Sequence, residues 1–248
     1  MLIENTIETL RKLRLYGMVE AFERQRASST LQELSFDDRF SMLVDAEISQ
    51  REGRRMARML RSAQMKISAA PEDVDFRTAR GLDKRKFSAL LNCDWIMSAQ
   101  CLIVTGPTGV GKTWLTCALG QQAVRKGLPV GYRRFSRLLE EFEISRANGS
   151  LPKLRSQLAR ARLLILDDWG LAPLSALHRQ DLLDLVDDCH GVTSMAFTSQ
   201  LPVEKWHDYI GDPTIADAIL DRVIHSAHRI ELKGESLRKS AKPAVDTA

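Results

Sequence analysis

Gly106, Gly111, Lys112 and Thr113 stand in the stretch GPTGVGKTWL at the spacing G-x-x-x-x-G-K-[ST]. That spacing suits a loop whose backbone N–H groups close around a phosphate chain, so Gly106, Pro107, Thr108, Gly109, Val110, Gly111, Lys112 and Thr113 form the candidate nucleotide-binding loop. Lys112 is expected to reach the β- and γ-phosphates, and the Thr113 hydroxyl to ligate Mg²⁺. The flanks supply the geometry this needs. The apolar run CLIVT before the loop reads as a buried strand, and TWLTCALGQQAVRKG after it reads as a helix stopped at Gly127. The helix N-terminus adds its positive end to the phosphate site.

A second group of reactive side chains follows in RLLILDDWG, an apolar run ending in Asp167 and Asp168. Acids at the C-terminal end of a buried parallel strand emerge where such sheets bind ligands. Asp167 is the expected Mg²⁺-side carboxylate, acting through water, and Asp168 the expected group to orient and deprotonate an attacking water. A third run, MAFTSQLP, ends in Thr198, Ser199 and Gln200. One of these is expected to touch the γ-phosphate or hold the water, and Ser199 is assigned that role.

Positioning these groups takes an alternation of strands and helices. Strands are expected at Leu102–Thr105, Leu128–Tyr132, RLLILDD, TSMAFTS and near HRIEL. Helices are expected after Lys112, around Ser136–Arg146, near Lys153–Arg160 and across Leu174–His190. The alternation implies an α/β fold, a parallel sheet flanked by helices. Residues 1 to about 70 read instead as a small all-α N-terminal domain, with Gly17 a candidate interruption. Ser35 followed by Asp37 and Asp38 marks the start of a helix that can run to about Lys66. The linker SAAPEDVD, broken by Pro71, then leads into a nucleotide domain over 71–234, with a short tail over 235–248.

In the N-terminal domain Arg51, Arg54, Arg58 and Arg61 recur three or four residues apart, with Arg55 beside them. Guanidinium groups at that spacing can follow a phosphate backbone, or form a solvated or subunit-facing surface. The net charge of +4 over 248 residues permits nucleic acid without requiring it. Cys93, Cys101, Cys117 and Cys189 are scattered, which argues against a disulfide framework or zinc site and suits the cytoplasm. His225 and His228 lie three apart without a neighbouring ligand cluster. No apolar run approaches a membrane span, and MLIENTIETLRK lacks the apolar core of a signal peptide.

With the three strand ends in place, the chain resembles the AAA+ ATPases of the replication-initiator and helicase-loader branch. The closer resemblance is to the IstB family of insertion-sequence ATP-binding proteins, carried by SFDDRFSMLVDAEISQRE, GPTGVGKTWL, LLILDDWGL and TSQLPVEKWHDYIGDPTIADAILDRVIHSAHRIELKGESLRK. That resemblance implies a P-loop AAA+ fold. It implies a homo-oligomer with ATP between subunits that assembles on double-stranded DNA and serves a cognate transposase, with hydrolysis as the reset. It also implies that Arg222 reaches the γ-phosphate of a neighbouring subunit; the other reading is a salt bridge to Asp217 or Asp221. The family's usual Asp-Glu pair is Asp167-Asp168 here, one methylene shorter, which suits slow hydrolysis. The chain after the last strand is too short for a full C-terminal lid, leaving Arg238 as a candidate for the lid's sensor arginine.

By the same resemblance the DNA path runs along YRRFSRLLEEFEISRANGSLPKLRSQLARAR, which offers Arg133, Arg134, Arg137, Arg146, Lys153 and Arg155. Backbone contacts of this kind bind with weak sequence preference and strong salt dependence. A helicase loader is the alternative within the fold. It would call for aromatic platforms for single-stranded DNA, for which Tyr132, Phe135 and Phe142 are the candidates. A small-molecule kinase and a non-hydrolysing scaffold are the readings from other classes.

Overall fold

The computed structural model describes residues 2–225 and 227–237; Arg238 lies outside them. The N-terminal stretch forms helices α1 (Leu2–Lys12), α2 (Tyr16–Ala27), α3 (Ser29–Gln32) and α4 (Phe36–Ala63). Gly17 does not interrupt the helical run. The break falls at Arg14, whose φ of 60° ends α1 while the Leu15 N–H reaches back to the Leu10 carbonyl at 2.9 Å. Gly17 sits inside α2 for a packing reason: a Cβ there would stand 2.5 Å from the Ala46 carbonyl oxygen on α4. The buried Glu47 of α4 accepts from the N–H groups of Gly17 and Met18, at 2.8 and 3.3 Å, and so caps α2. Burial pulls the Glu47 carboxyl upward, but Arg51 and those two N–H groups hold it below the ordinary range. Ser35 caps α4, accepting from the Asp38 N–H at 3.1 Å. The helix ends at Ala63, short of Lys66, because Gln64 turns to a φ of 53°.

The chain divides into two compact units between Arg58 and Met59, a break that falls within α4. In the second unit α5 (Lys84–Leu90) and α6 (Asp94–Met97) precede β1 (Leu102–Thr105), α7 (Lys112–Arg125) and β2 (Val130–Arg134). Then come α8 (Phe135–Ala147), α9 (Leu151–Leu158), β3 (Leu163–Trp169), α10 (Ala176–Cys189) and β4 (Ser194–Ser199). Helices α11 (Trp206–Ile210) and α12 (Pro213–Ile224) lead to β5 (His228–Glu231). The sheet is parallel throughout, in the order β2-β3-β4-β1-β5. The order reverses beside β1, so the crevice for a ligand opens at the C-terminal ends of β1, β3 and β4.

The pleat sorts each strand onto two cores. Leu102, Val104, Leu163, Ile165 and Ala196 face the side of α7. Ile103, Leu164, Leu166, Met195 and Phe197 face the side of α8, α10 and α12. On that alternation Asp167 points to α7 and Trp169 should follow it. Trp169 instead packs in the opposite core, against Phe135, Phe197 and Trp206. A bulge between Leu166 and Trp169 makes the change: three residues of β3 run opposite two of β4, and Asp168 takes a φ of 64°.

Candidate functional site

The loop after β1 holds three glycines at positive φ: Gly106 at 146°, Gly109 at 86° and Gly111 at 96°. Gly106 is also fixed by contact, since a Cβ there would lie 2.3 Å from the backbone carbonyl oxygen of Leu232. The Lys112 ammonium donates to the carbonyls of Gly106 and Pro107, at 2.7 and 2.8 Å. The segment after β5 returns to this loop, where the Leu237 N–H donates to the Gly109 carbonyl at 3.0 Å.

Asp167 is fully buried at the end of β3. Its Oδ1 accepts from Thr113 Oγ1 at 2.7 Å and from Thr198 Oγ1 at 2.5 Å, and its Oδ2 accepts from Tyr132 Oη at 2.6 Å. Thr198 Oγ1 in turn accepts from the Asp168 N–H at 3.0 Å. Burial, and then the bond to Asp167, push the Tyr132 phenol far above its ordinary value, so it stays protonated and donates. Asp168 carries its carboxylate away from this network, 3.1 Å from Nε of Arg134.

These groups border a cavity of about 530 Å³ lined by Thr108, Gly109, Gly111, Lys112, Thr113, Arg134, Asp168 and Gln200. Lys66, Ile67, Asp73, Asp75, Arg80, Trp114, Leu171 and Leu237 complete its lining. Arg80 is buried, donates to the carbonyls of Val110 and Asp75 at 2.9 and 3.0 Å, and has its pKa drawn down by burial against the pull of Asp75. Lys66 stands 3.9 Å from Asp167 Oδ2. Arg80, Lys66 and Trp114 have no place in the motif spacing. Arg80 and Lys66 come from the segment before β1, which nothing in sequence ties to the loop.

The cavity fits a nucleotide and Mg²⁺ on its own geometry. The loop glycines and the start of α7 make an anion cradle, and Thr113 and Asp167 bring two oxygens within 2.7 Å of each other. No group of three or more His, Cys, Asp or Glu side chains able to hold a metal occurs among the described residues. Mg²⁺ does not need one, since it keeps waters and phosphate oxygens and takes one or two protein oxygens.

Ser199, assigned to the cavity from sequence, is buried and does not line it. Its hydroxyl donates to the Trp169 carbonyl at 2.8 Å and accepts from the Leu201 N–H at 2.9 Å. Gln200, one residue further and past the strand, lines the cavity in its place. Arg222 lies apart from the cavity. It pairs with Asp187 of α10 at 2.7 Å, not with Asp217 or Asp221, because α12 packs on α10.

Most of the candidate DNA-binding cations are held by acids of the chain. Arg51 pairs with Glu47, Arg133 with Glu141 and Arg137 with Glu140, at 2.7, 3.1 and 2.6 Å. Arg155 is clamped between Asp184 and Asp188, Arg146 meets the buried Asp181, and Arg134 meets Asp168. Arg54 lies over the Tyr16 ring, 4.7 Å from its centroid. Arg58 and Lys153 are exposed and form no ion pair among the described residues. No helix among the described residues is long and apolar enough to cross a membrane.

The parallel sheet, the phosphate loop at its switch point and the acid pair at the end of β3, one strand removed from β1, define a P-loop α/β fold. Solved structures agree with that fold. DnaI superposes with a TM-score of 0.58 at 18% identity, over 71% of this chain and 93% of its own. The DnaC helicase loader superposes with a TM-score of 0.52 at 17% identity, over 60% and 87%. In sequence, residues 8–244 match the family model described as IstB-like ATP binding protein, and the chain belongs to that family. One relative, the "Putative insertion sequence ATP-binding protein y4pL" of Sinorhizobium fredii, is 45% identical over 240 residues, 97% of this chain and 98% of its own.

Proposed function

We propose that the chain binds ATP with Mg²⁺, hydrolyses it slowly, and works as a cytoplasmic homo-oligomer on double-stranded DNA in the service of a transposase. The observation that carries the reading is the buried Asp167, bonded to the loop's Thr113 and flanked by an Asp168 that faces the cavity. The relatives' insertion-sequence names support the transposase as partner.

In this reading the loop N–H groups and Lys112 take the phosphates, Lys112 exchanging the carbonyls of Gly106 and Pro107 for phosphate oxygens. Mg²⁺, when bound, neutralises phosphate charge, and Thr113 together with Asp167 through water would hold it. Asp168 orients the attacking water and accepts its proton. Gln200, which lines the cavity, takes the γ-phosphate role first given to Ser199. Arg222 exchanges Asp187 for the phosphate of a neighbouring copy.

The Arg134–Asp168 pair supplies a route for DNA to act on hydrolysis. An acid held by a guanidinium is turned from the water it must activate. A DNA phosphate that draws Arg134 away frees Asp168. In this scheme residues 1–70 assist oligomerisation or DNA contact through Arg51, Arg54 and Arg58, while Arg133, Arg137, Lys153 and Arg155 complete the candidate DNA surface. The helicase-loader alternative is supported by the fold shared with DnaI and DnaC. It is weakened by its own candidate platforms, since Tyr132, Phe135 and Phe142 are all buried and offer no ring face to a base.

The test is the ATPase rate with and without duplex DNA, beside particle mass by light scattering in ATP and in ADP, for wild type and Arg222→Ala. The proposal expects a large particle with ATP and DNA, and a variant that binds nucleotide but hydrolyses poorly. A monomer that turns over without DNA and ignores the Arg222 change would overturn it.

A further inference from the structure

Tyr132 takes no part in the chemistry proposed above, yet its hydroxyl is committed to the residue on which that chemistry depends. It stands on β2 opposite Ile165 of β3, two registers before the Arg134–Asp167 pair, on the face that packs against α7. Side chains lean along a strand, and the length of the phenol carries Oη to Asp167 Oδ2 at 2.6 Å. The two carboxylate oxygens are thereby divided. Oδ1 serves the hydroxyls of Thr113 and Thr198, and Oδ2 serves Tyr132, with the Lys66 ammonium further off at 3.9 Å.

We propose that Tyr132 is a positioning residue for the metal-side carboxylate: its hydroxyl locks the rotation of the Asp167 carboxyl so that Oδ1 stays turned toward Thr113. Thr113 and Thr198 both bond one oxygen, so the carboxyl plane can still tilt about the Cβ–Cγ bond unless a donor holds the other oxygen as well. Tyr132 fixes the other oxygen from the opposite side. A ring of this size needs a partner for its hydroxyl when buried, and Tyr132 Oη has Asp167. Outer partners of this kind commonly change metal affinity by about 10- to 100-fold. The inference rests on the reading of Asp167 as the metal-side carboxylate.

The experiment uses the full chain and Tyr132→Phe, which keeps the ring and removes the donor. Binding of a fluorescent ATP analogue is titrated in EDTA and across a Mg²⁺ series. The expected result is metal-free affinity within about twofold of wild type, with a Mg²⁺ half-saturation raised about 10-fold. In an Asp167→Asn background the same change should add nothing, because the two residues act through one interaction. An unchanged half-saturation, an equal loss with and without Mg²⁺, or additive effects in the double variant would each overturn the positioning role. A wild type whose binding is indifferent to Mg²⁺ would sink the Asp167 reading itself, and the positioning role with it.

Discussion

The phosphate loop with its strand ends and the arginine-bearing surface of α8 and α9 were both legible as charged, reactive residues. They came out differently. The loop residues meet: Lys112, Thr113, Asp167 and Asp168 converge on one cavity or its wall. The arginines mostly do not remain available. Helix α10 presents Asp181, Asp184, Asp187 and Asp188, and these take Arg146, Arg155 and Arg222. A contiguous motif carries its own geometry, because its members are bound into one loop and one helix turn. Scattered cations carry only charge, and acids elsewhere in the chain can claim it.

The largest effect that tests this contrast is on the loop side. Asp167→Asn should lower hydrolysis by about 100-fold or more, measured as phosphate release under saturating ATP, since it weakens the groups aimed at the transferring phosphoryl. Full activity in that variant would break the convergence just described. Next comes Arg134→Ala, at an ion pair that joins the two regions. It should raise the DNA-independent rate several-fold and shrink the stimulation by DNA. A variant that loses basal activity would show Arg134 to be a working part of the site and not a restraint.

Smaller effects separate the clamped cations from the exposed one. Arg155→Ala removes two ion pairs at once and should reduce stability by about 1 kcal/mol, read by denaturant unfolding. Lys153→Ala should change stability by less than about 0.5 kcal/mol but flatten the salt dependence of DNA binding by about one phosphate contact. The reverse pattern would mean that Arg155 exchanges its acids for DNA. The smallest effect concerns the buried thiols. Burial raises Cys117 on α7 to about 11 and Cys189 on α10 to about 12. A thiol whose folded pKa exceeds its unfolded one keeps its proton longer in the native state. Stability should therefore fall as pH rises from about 9 toward 11. At pH 8 both thiols should resist alkylation, and ATP should protect Cys117 further than Cys189.

Much of the fold was readable because strand periodicity and the loop motif are local. Where the reading slipped, a distant contact had intervened. Gly17 looked like a helix break, but it is the close approach of α4 that requires a glycine there. Ser199 looked like the polar end of its strand facing a ligand. The turn after β4 uses its hydroxyl internally and leaves Gln200 at the cavity. For Arg222 only the alternative reading, a salt bridge to Asp217 or Asp221 on its own helix, gives way, since its acid partner lies on α10.

The phosphate loop, the alternation of strands and helices, and the acids at the end of β3 can be read from residue order, because each depends on neighbours a few residues away. Which of those side chains face the cavity depends on long-range packing. Alternation along β3 sends Asp167 toward α7, and the bulge at Asp168 then turns Trp169 into the opposite core, where simple alternation would not put it, and leaves Asp168 at the cavity. The same long-range packing brings Tyr132 from β2 and Arg80 from before β1 to the site. Their roles depend on where a folded sheet places them, and no spacing along the chain encodes that distance.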